Sequence, residues 1–572
     1  MQEANKNNFL KGAAILAATG VFVKIIGAIY QIPILREMGD EGAGYFHVTY
    51  MVYAFILAIS TAGVPVAMSR LVSSAAARGD TALIKRYFSV ALPTFILIGL
   101  AAMLLMFFFA DNIADLMNTS LAAYSIRVLS PAVFFVCIIA VYRGYAQGFG
   151  NMVPTAASQV VEVVSKAAFG IAVVFYLSRL NYEAQFLSAG AITGVSIGLG
   201  LCIPLLMWYK RRMDMVKQGD GAGQGDGAGQ GDRFTVPTLG GTVNLSPCPA
   251  PSPCPTRMRT FLRIMKVSIP ISLSASFMSI MGVIDTSVVS NRLQNALMLT
   301  ESEAIAQLGI FRKGLSVYNL PPSLVVPLAV SIIPAIAGAV AKSNRKEASS
   351  IMQSSAKLTN LFAMPACAGI MVLAGPILNA LYYDPSQSPE AFATMTTILI
   401  ILSAASYFVC FQHLTIAILQ ANGFERVALM TFPVGAAVKI ALSYFLVGNP
   451  NFGILGSPIG TLACFLIIVI LNVIFITVKV KERFKIIGGF LKPLLCAVIM
   501  AGVSYMTYEG AQYLGAGSLG TGNAAVVIYL AAAIIVGVVV YAALIILTRA
   551  ITRDDLSHIP KGDKLAKLLR VK

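Results

Sequence analysis

The sequence predicts an all-α polytopic membrane protein of about fourteen transmembrane helices, two six-helix lobes in a parallel pseudo-repeat followed by two C-terminal helices. Three observations predict it. The 572 residues are 57% hydrophobic and only 12% charged, with a mean hydropathy of +0.78; a soluble chain carries roughly 25% charge. Apolar runs of about 20 residues follow one another along the chain, each long enough to cross a hydrocarbon core of roughly 30 Å as a helix. The connecting loops alternate in charge, as the two sides of a membrane require.

In chain order the spans fall at 9–35, 45–69, 87–109, 119–145, 153–177, 185–209, 264–290, 307–340, 357–381, 391–420, 427–447, 453–478, 487–508 and 523–548. Loops after even-numbered spans are basic. They hold Arg70, Arg78, Lys85 and Arg86, then Lys210, Arg211, Arg212 and Lys217, then Lys342, Arg345 and Lys346, then Lys479, Lys481, Arg483 and Lys485. The C-terminal tail adds Arg549, Arg553 and five further basic residues from Lys561 to Lys572. Loops after odd-numbered spans are neutral or acidic, as in "REMGDEG" and "YYDPSQSPEAF". A single missed span would invert every later loop, and none is inverted. The positive-inside rule then predicts a multi-pass cell-membrane protein with both termini in the cytoplasm. It also explains the net charge of +17: the partner of that charge is the bilayer with its anionic headgroups, and no nucleic acid is implied.

The polar start followed by an apolar stretch too long for a signal sequence predicts that the first helix stays in the mature chain. Six cysteines (Cys137, Cys202, Cys367, Cys410, Cys464 and Cys496) lie singly in apolar runs and read as small hydrophobes. Cys248 and Cys254 are separated by five residues, and the chain has only three histidines, His47, His413 and His558, so no metal site is expected. Residues 210–260 contain a "QGDGAG" repeat and a proline-rich stretch, which predict a flexible cytoplasmic linker. The expected organisation is a first lobe at 1–209, the linker at 210–260, a second lobe at 261–480, and helices 13 and 14 with a basic tail at 481–572.

The two lobes are related by an internal repeat. "AQGFGNMVPTAASQVVEVVSK" (146–166) aligns with "LQANGFERVALMTFPVGAAVK" (419–439), matching Gln147 with Gln420, Gly150 with Gly423 and Lys166 with Lys439. Glu162 falls on Gly435, so the acid belongs to the first half alone. A weaker match sets 44–71 beside 309–336. Repeats of one topological direction place the substrate path at their interface.

Charge inside the spans is the most specific signal, because an ionised residue at mid-span costs roughly 2.5–3.5 kcal/mol on insertion scales. Lys24, Lys166 and Lys439 lie near mid-span; Arg127, Arg312 and Lys313 enter helices from the outer side. Only Glu162 and Asp285 oppose them, so a cationic interior is expected. Snorkelling to the interface accounts for Arg127, Lys313 and Arg312. The alternative places Lys24, Lys166, Lys439, Arg127 and Arg312 along a cavity that suits a phosphate or diphosphate. Glu162, Asp285 and Gln159 are the candidate positioning or coupling residues. Glu162 is one turn from Lys166, where an i,i+4 pair would hold the lysine; it would equally serve a coupling proton or sodium ion.

Four stretches, "FLKGAAILAATGVFVKIIGAIYQIPI", "GDEGAGYF", "AGVPVAMSRLVSSAAARGD" and "YRGYAQGFGNMVPTAASQVVEVV", resemble the stage V sporulation protein B and lipid II flippase branch of the multidrug/oligosaccharidyl-lipid/polysaccharide (MOP, MATE-like) flippase superfamily. The resemblance implies a flippase that exports an undecaprenyl-linked cell-wall or polysaccharide precursor by alternating access, in peptidoglycan and cell-wall biogenesis or sporulation. It implies a cationic cavity for the diphosphate and a groove at helices 13 and 14 for the lipid tail. The lipid II flippases commonly carry two basic residues six apart in helix 1; here they read Lys24 and Tyr30. Their "SQ-x-x-EQ-x-x-R" segment reads Ser158, Gln159, Glu162, Val163 and Lys166.

The implied partners are a lipid-linked anion, the bilayer and the wall-synthesis machinery. No cofactor is expected beyond a coupling ion or the membrane potential. The rival readings are a multidrug or cation antiporter on the same fold, which needs acids where this chain has lysines, and a non-transporting scaffold for wall synthesis. An enzyme is not expected, since no nucleophile, metal or phosphate-loop constellation occurs.

Overall fold

The computed structural model describes residues 19–548 apart from 21, 24–25, 28, 62, 77, 223–233, 239–240, 246–255, 342–343, 385–386, 481–488 and 516–521. Lys24 lies outside the described residues. The chain divides into two compact units, Met1–Ser287 and Val288–Lys572. The division falls inside a helix, beyond the 210–260 segment.

The first unit is helical at 29–37, then α1 (Gly39–Thr61), α2 (Val64–Ala76), α3 (Thr81–Phe108), α4 (Ala110–Leu116), α5 (Ala122–Gly148), α6 (Val153–Arg179) and α7 (Ala184–Ala222). An antiparallel hairpin, β1 (Phe234–Thr238) and β2 (Gly241–Leu245), precedes α8 (Arg257–Asn295), whose last turns belong to the second unit. The second unit continues with α9 (Glu301–Tyr318), α10 (Leu320–Ala341), α11 (Arg345–Val372), α12 (Ala374–Tyr382), α13 (Pro389–Ala421), α14 (Glu425–Val447), a 3-10 turn, α15 (Gly456–Lys479), α16 (Leu491–Gly515) and α17 (Asn523–Thr548).

Among the described residues ten helices are long and apolar enough to cross a membrane. They match the expected spans 3 to 6 and 9 to 14. Span 1 lies largely outside the described residues, and span 7 lies within the longer α8. Spans 2 and 8, expected as single helices, are each broken into two. Span 2 breaks before Gly63 and Pro65, where the Gly63 N–H donates to Ser272 Oγ at 2.9 Å. A Cβ at Gly63 would stand 2.1 Å from the Ser268 carbonyl oxygen, so only glycine fits this approach of α8. Span 8 breaks at Asn319, just before the pair Pro321–Pro322. Proline removes a backbone donor and bends the chain at such points; loop charge counts crossings and is blind to bends.

Each unit has its own core. In the first, Met68, Val72, Tyr87, Ala91, Cys137 and Val141 bring α2, α3 and α5 together. In the second, Ile336, Met352, Leu414 and Ile418 join α10, α11 and α13. The C-terminal pair α16 and α17 packs on α11 and α12, with Tyr508 and Tyr529 against Leu373 and the Tyr541 hydroxyl donating to the Leu361 carbonyl at 2.9 Å. Elsewhere the outward faces stay apolar, as with Leu105, Phe108, Ile535 and Val538; such faces suit lipid contact. The six apolar-run cysteines are reduced and buried.

Candidate functional site

The site is built on α6, which carries Gln159, Glu162 and Lys166. At 1.5 Å per residue, Lys166 stands about 20 Å along the helix from Val153, midway along its 27 residues. The helix begins after a tight turn in which Gly150 has φ +72°. Its repeat partner Gly423 has φ +81° in the corresponding turn before α14. Both positions require the left-handed conformation that glycine adopts at no steric cost, so the repeat extends to local backbone geometry.

The position of α6 is set by α7. Gly190, Gly194, Gly198 and Cys202 recur every four residues on α7 and form one stripe. A Cβ at Gly194 would fall 2.5 Å from the Gly170 nitrogen and 2.7 Å from the Lys166 carbonyl oxygen. One at Gly198 would fall 2.8 Å from the Glu162 carbonyl oxygen. Cys202 Sγ donates to the Ser158 carbonyl at 3.2 Å. The stripe therefore grips the backbone beneath Ser158, Glu162 and Lys166, as small residues at four-residue spacing do in membranes. Its spacing was visible in the sequence and is a signal that charge-led reading passes over.

Glu162 does not pair with Lys166. Its carboxylate takes a 2.9 Å ion pair from Arg143 of α5, with side-chain exposures of 30% and 17% respectively. Arg143 Nε also donates to Ser158 Oγ at 2.8 Å, and that hydroxyl donates to the Thr155 carbonyl at 2.9 Å. The guanidinium is thereby fixed at two points, and its planar fork matches a carboxylate better than a lysine does. The expected i,i+4 pair yields to a partner arriving from the preceding helix.

Lys166 lies instead between two tyrosines. Its ammonium is 5.1 Å from the Tyr30 ring centroid and 5.0 Å from that of Tyr50, with a long 3.4 Å hydrogen bond to the Tyr50 hydroxyl. Tyr50 is itself braced by Phe46 and Tyr53, each 5.8 Å away between centroids. Cation–π contacts within about 6 Å of a ring centroid hold a cation against the ring faces.

The other candidates lie elsewhere. Gln159 is half-buried one turn before Glu162, and Asp285 is buried in α8. Arg127 forms an ion pair with Asp111 of α4, partly exposed at the opposite end of α5 from Arg143. In the second unit Arg312 is buried and Lys439 half-buried. Lys313, expected to snorkel, is only 2% exposed and sits 5.7 Å from the Tyr382 ring, whose hydroxyl is 2.6 Å from Ser316 Oγ. A tyrosine takes its charge in place of the interface. Arg143 is the functional side chain that sequence reading missed, because at a helix end it reads as an ordinary loop charge.

Comparison with known proteins agrees with this architecture. Residues 9–217 match the family described as polysaccharide biosynthesis protein. Stage V sporulation protein B of Bacillus subtilis (strain 168) is 25% identical, over 97% of this chain and 98% of its own. Lipid II flippase MurJ of the same organism is 25% identical over 80% of this chain and 81% of its own. Among solved structures, lipid II flippase MurJ in an inward closed conformation superposes with a TM-score of 0.64 at 17% identity, covering 94% of this chain and 99% of that one. An inward-facing multidrug resistance MATE family transporter of the MOP superfamily gives 0.60 at 16% identity, covering 84% and 98%. The protein is a multi-pass membrane protein similar to stage V sporulation protein B and to lipid II flippase MurJ, and it shares the helical fold of the solved MurJ and MATE structures.

Proposed function

We propose that the protein flips an undecaprenyl-linked anionic precursor of the cell wall or of a polysaccharide by alternating access, with Lys166 as a ligand of the diphosphate. The observation that carries this reading is the state of Lys166: a mid-helix ammonium held by the faces of Tyr30 and Tyr50 rather than by a carboxylate. A caged ammonium without a carboxylate at ion-pair distance is a point charge suited to a phosphate. The name of lipid II flippase MurJ, matched over 80% of this chain, and the polysaccharide biosynthesis match at 9–217 support the same class of cargo. Lys439, at the repeat position, is the second ligand in this reading, and Lys24 the third. Arg127 is assigned a structural role, given its pair with Asp111. The basic loops support a cytoplasmic location for both termini.

A cation antiporter is disfavoured by Glu162, whose charge is committed to Arg143. The test is flipping of a labelled lipid-linked precursor by purified protein in proteoliposomes. Lys166→Ala should lower the rate by at least about tenfold, and Lys166→Arg should retain more, since charge persists while geometry changes. A wild-type rate for Lys166→Ala in normally inserted protein would reject the reading.

A further inference from the structure

A glutamate one turn from a lysine on the same helix face is the strongest local competitor for any anion that the lysine is to bind. In an isolated helix Glu162 and Lys166 would attract each other across the i,i+4 spacing, and a partly buried setting strengthens that attraction. The structure gives that competitor another partner. The Glu162 carboxylate is 2.9 Å from Arg143, and Arg143 is fixed by its second bond to Ser158 Oγ at 2.8 Å. Lys166 is drawn the other way, onto the rings of Tyr30 and Tyr50.

The internal repeat supplies an independent observation. With Lys166 aligned on Lys439, Glu162 falls on Gly435 and Arg143 on Ile416. The second half keeps the lysine and lacks both the acid and the arginine. An arginine needed only to end a helix, or to face anionic headgroups, would have no reason to be missing exactly where the acid is missing. The two charges behave as a set, and the lysine stands apart from it.

We infer that Arg143 is a positioning residue that sequesters Glu162 and so keeps the Lys166 ammonium uncommitted for the diphosphate of the substrate. This rests on the function proposed above. It reverses the role that spacing alone gives to Glu162: the acid is a restrained competitor and does not hold the lysine in place. Two outcomes follow that a merely structural ion pair does not produce. Losing Arg143 releases Glu162 onto Lys166 and weakens anion binding, and losing Glu162 alone strengthens binding, because Arg143 then adds a second uncommitted cation beside the site.

The experiment measures binding of a polyprenyl diphosphate to the full-length protein in nanodiscs of neutral lipid, with thermal unfolding recorded for every variant. Arg143→Ala should weaken binding by about tenfold or more, the scale set by bringing a carboxylate to ion-pair distance in a partly buried site. Arg143→Lys should lose less. Arg143→Ala/Glu162→Gln should recover most of the loss, and Glu162→Gln alone should bind more tightly than the wild type. Wild-type binding by Arg143→Ala, no recovery in the double variant, or weaker binding by Glu162→Gln would each overturn the inference. Should Arg143→Ala fail to fold, the sign of the Glu162→Gln effect decides alone. Lys166→Ala separates the two levels of the argument. If it binds as the wild type does, the diphosphate reading of the site fails; if it binds weakly while Arg143→Ala binds normally, only the role of Arg143 fails.

Discussion

The lysine-bearing helices of the two units are built on one plan and furnished differently. In the first unit α6 lies against the stripe of Gly194, Gly198 and Cys202; in the second, α14 lies against Gly456, Gly460 and Cys464 at the same spacing. Both helices follow a turn made by a left-handed glycine. The first then carries Glu162 with Arg143 across from it, whereas the second has Gly435 and Ile416 at those places. A Cβ at Gly435 would fall 2.5 Å from Ile468 Cγ1, so the neighbouring helix has closed over the position that an acid occupies in the first unit. The contrast teaches that the glycine stripe is the scaffold and the charge pair an addition to it. Where the pair is absent, helix packing takes the space.

The most damaging test of that shared scaffold is to add one methyl group to each stripe. At Gly194 the new Cβ meets backbone atoms at 2.5 and 2.7 Å, and backbone cannot move aside without shifting α6 as a whole. At Gly460 the nearest atoms are Ser443 Oγ at 3.0 Å and the Lys439 carbonyl at 3.1 Å, where a few tenths of an ångström suffice. Gly194→Ala should therefore cost about 2–3 kcal/mol, and Gly460→Ala about 1 kcal/mol or less. Unfolding of the purified variants in one detergent measures both. Equal losses would show that the two helix pairs do not differ in closeness as their geometry says they do.

The sequence carried most of this architecture and less of the site. The limits of α5, α6 and α13 follow the apolar runs closely, because in a membrane the hydrocarbon core dictates helix length directly, whereas α7 runs on past its apolar span to Ala222. The breaks at Gly63 and Asn319 were not legible as breaks, since an apolar run has the same composition whether the helix is continuous or not. At the site, Lys166 and Glu162 stood out because mid-span charge is rare. The partner of Glu162 was not legible, because i,i+4 spacing is local, whereas Arg143 arrives from another helix, 19 residues earlier in the chain. The tyrosines were harder still: Tyr30 and Tyr50 look like ordinary apolar-face aromatics until the fold brings both to one ammonium.

That cage is what most separates Lys166 from an unsupported lysine, and it can be weakened in steps. Tyr50→Leu removes one of the two rings and should cost diphosphate binding about 0.5–1 kcal/mol, the range of a partly exposed cation–π contact. Tyr50→Phe keeps the ring and loses the 3.4 Å hydrogen bond from Lys166, which is too long to contribute much. It should bind nearly as the wild type does. Binding isotherms for the two variants rank the contributions. A Phe variant as weak as the Leu variant would mean that the hydroxyl, and not the ring, holds the lysine.

The smallest expected effect lies where the repeat-related second spans begin. In the first unit α1 starts at Gly39, in the left-handed region at φ +69°. In the second unit α9 starts with a capping box: the Glu303 N–H donates to Thr300 Oγ1 at 3.3 Å, and the Thr300 N–H donates to Glu303 Oε2 at 2.9 Å. Two otherwise orphaned backbone donors are satisfied in this way. The Thr300 N–H and hydroxyl together hold the Glu303 carboxyl below its ordinary value of 4.5. A carboxyl whose folded pKa is depressed contributes stability above its unfolded pKa, and that contribution is lost as the pH falls through the folded value. Glu303→Gln should therefore lower the unfolding temperature only slightly at pH 7, by about 1 °C in a chain of this size. The difference from wild type should shrink toward zero as the pH is taken below 4.5. A Glu303→Gln difference that stays constant from pH 7 to acid would show that the glutamine amide fails the cap for reasons other than charge, and that the two helix starts differ in shape alone.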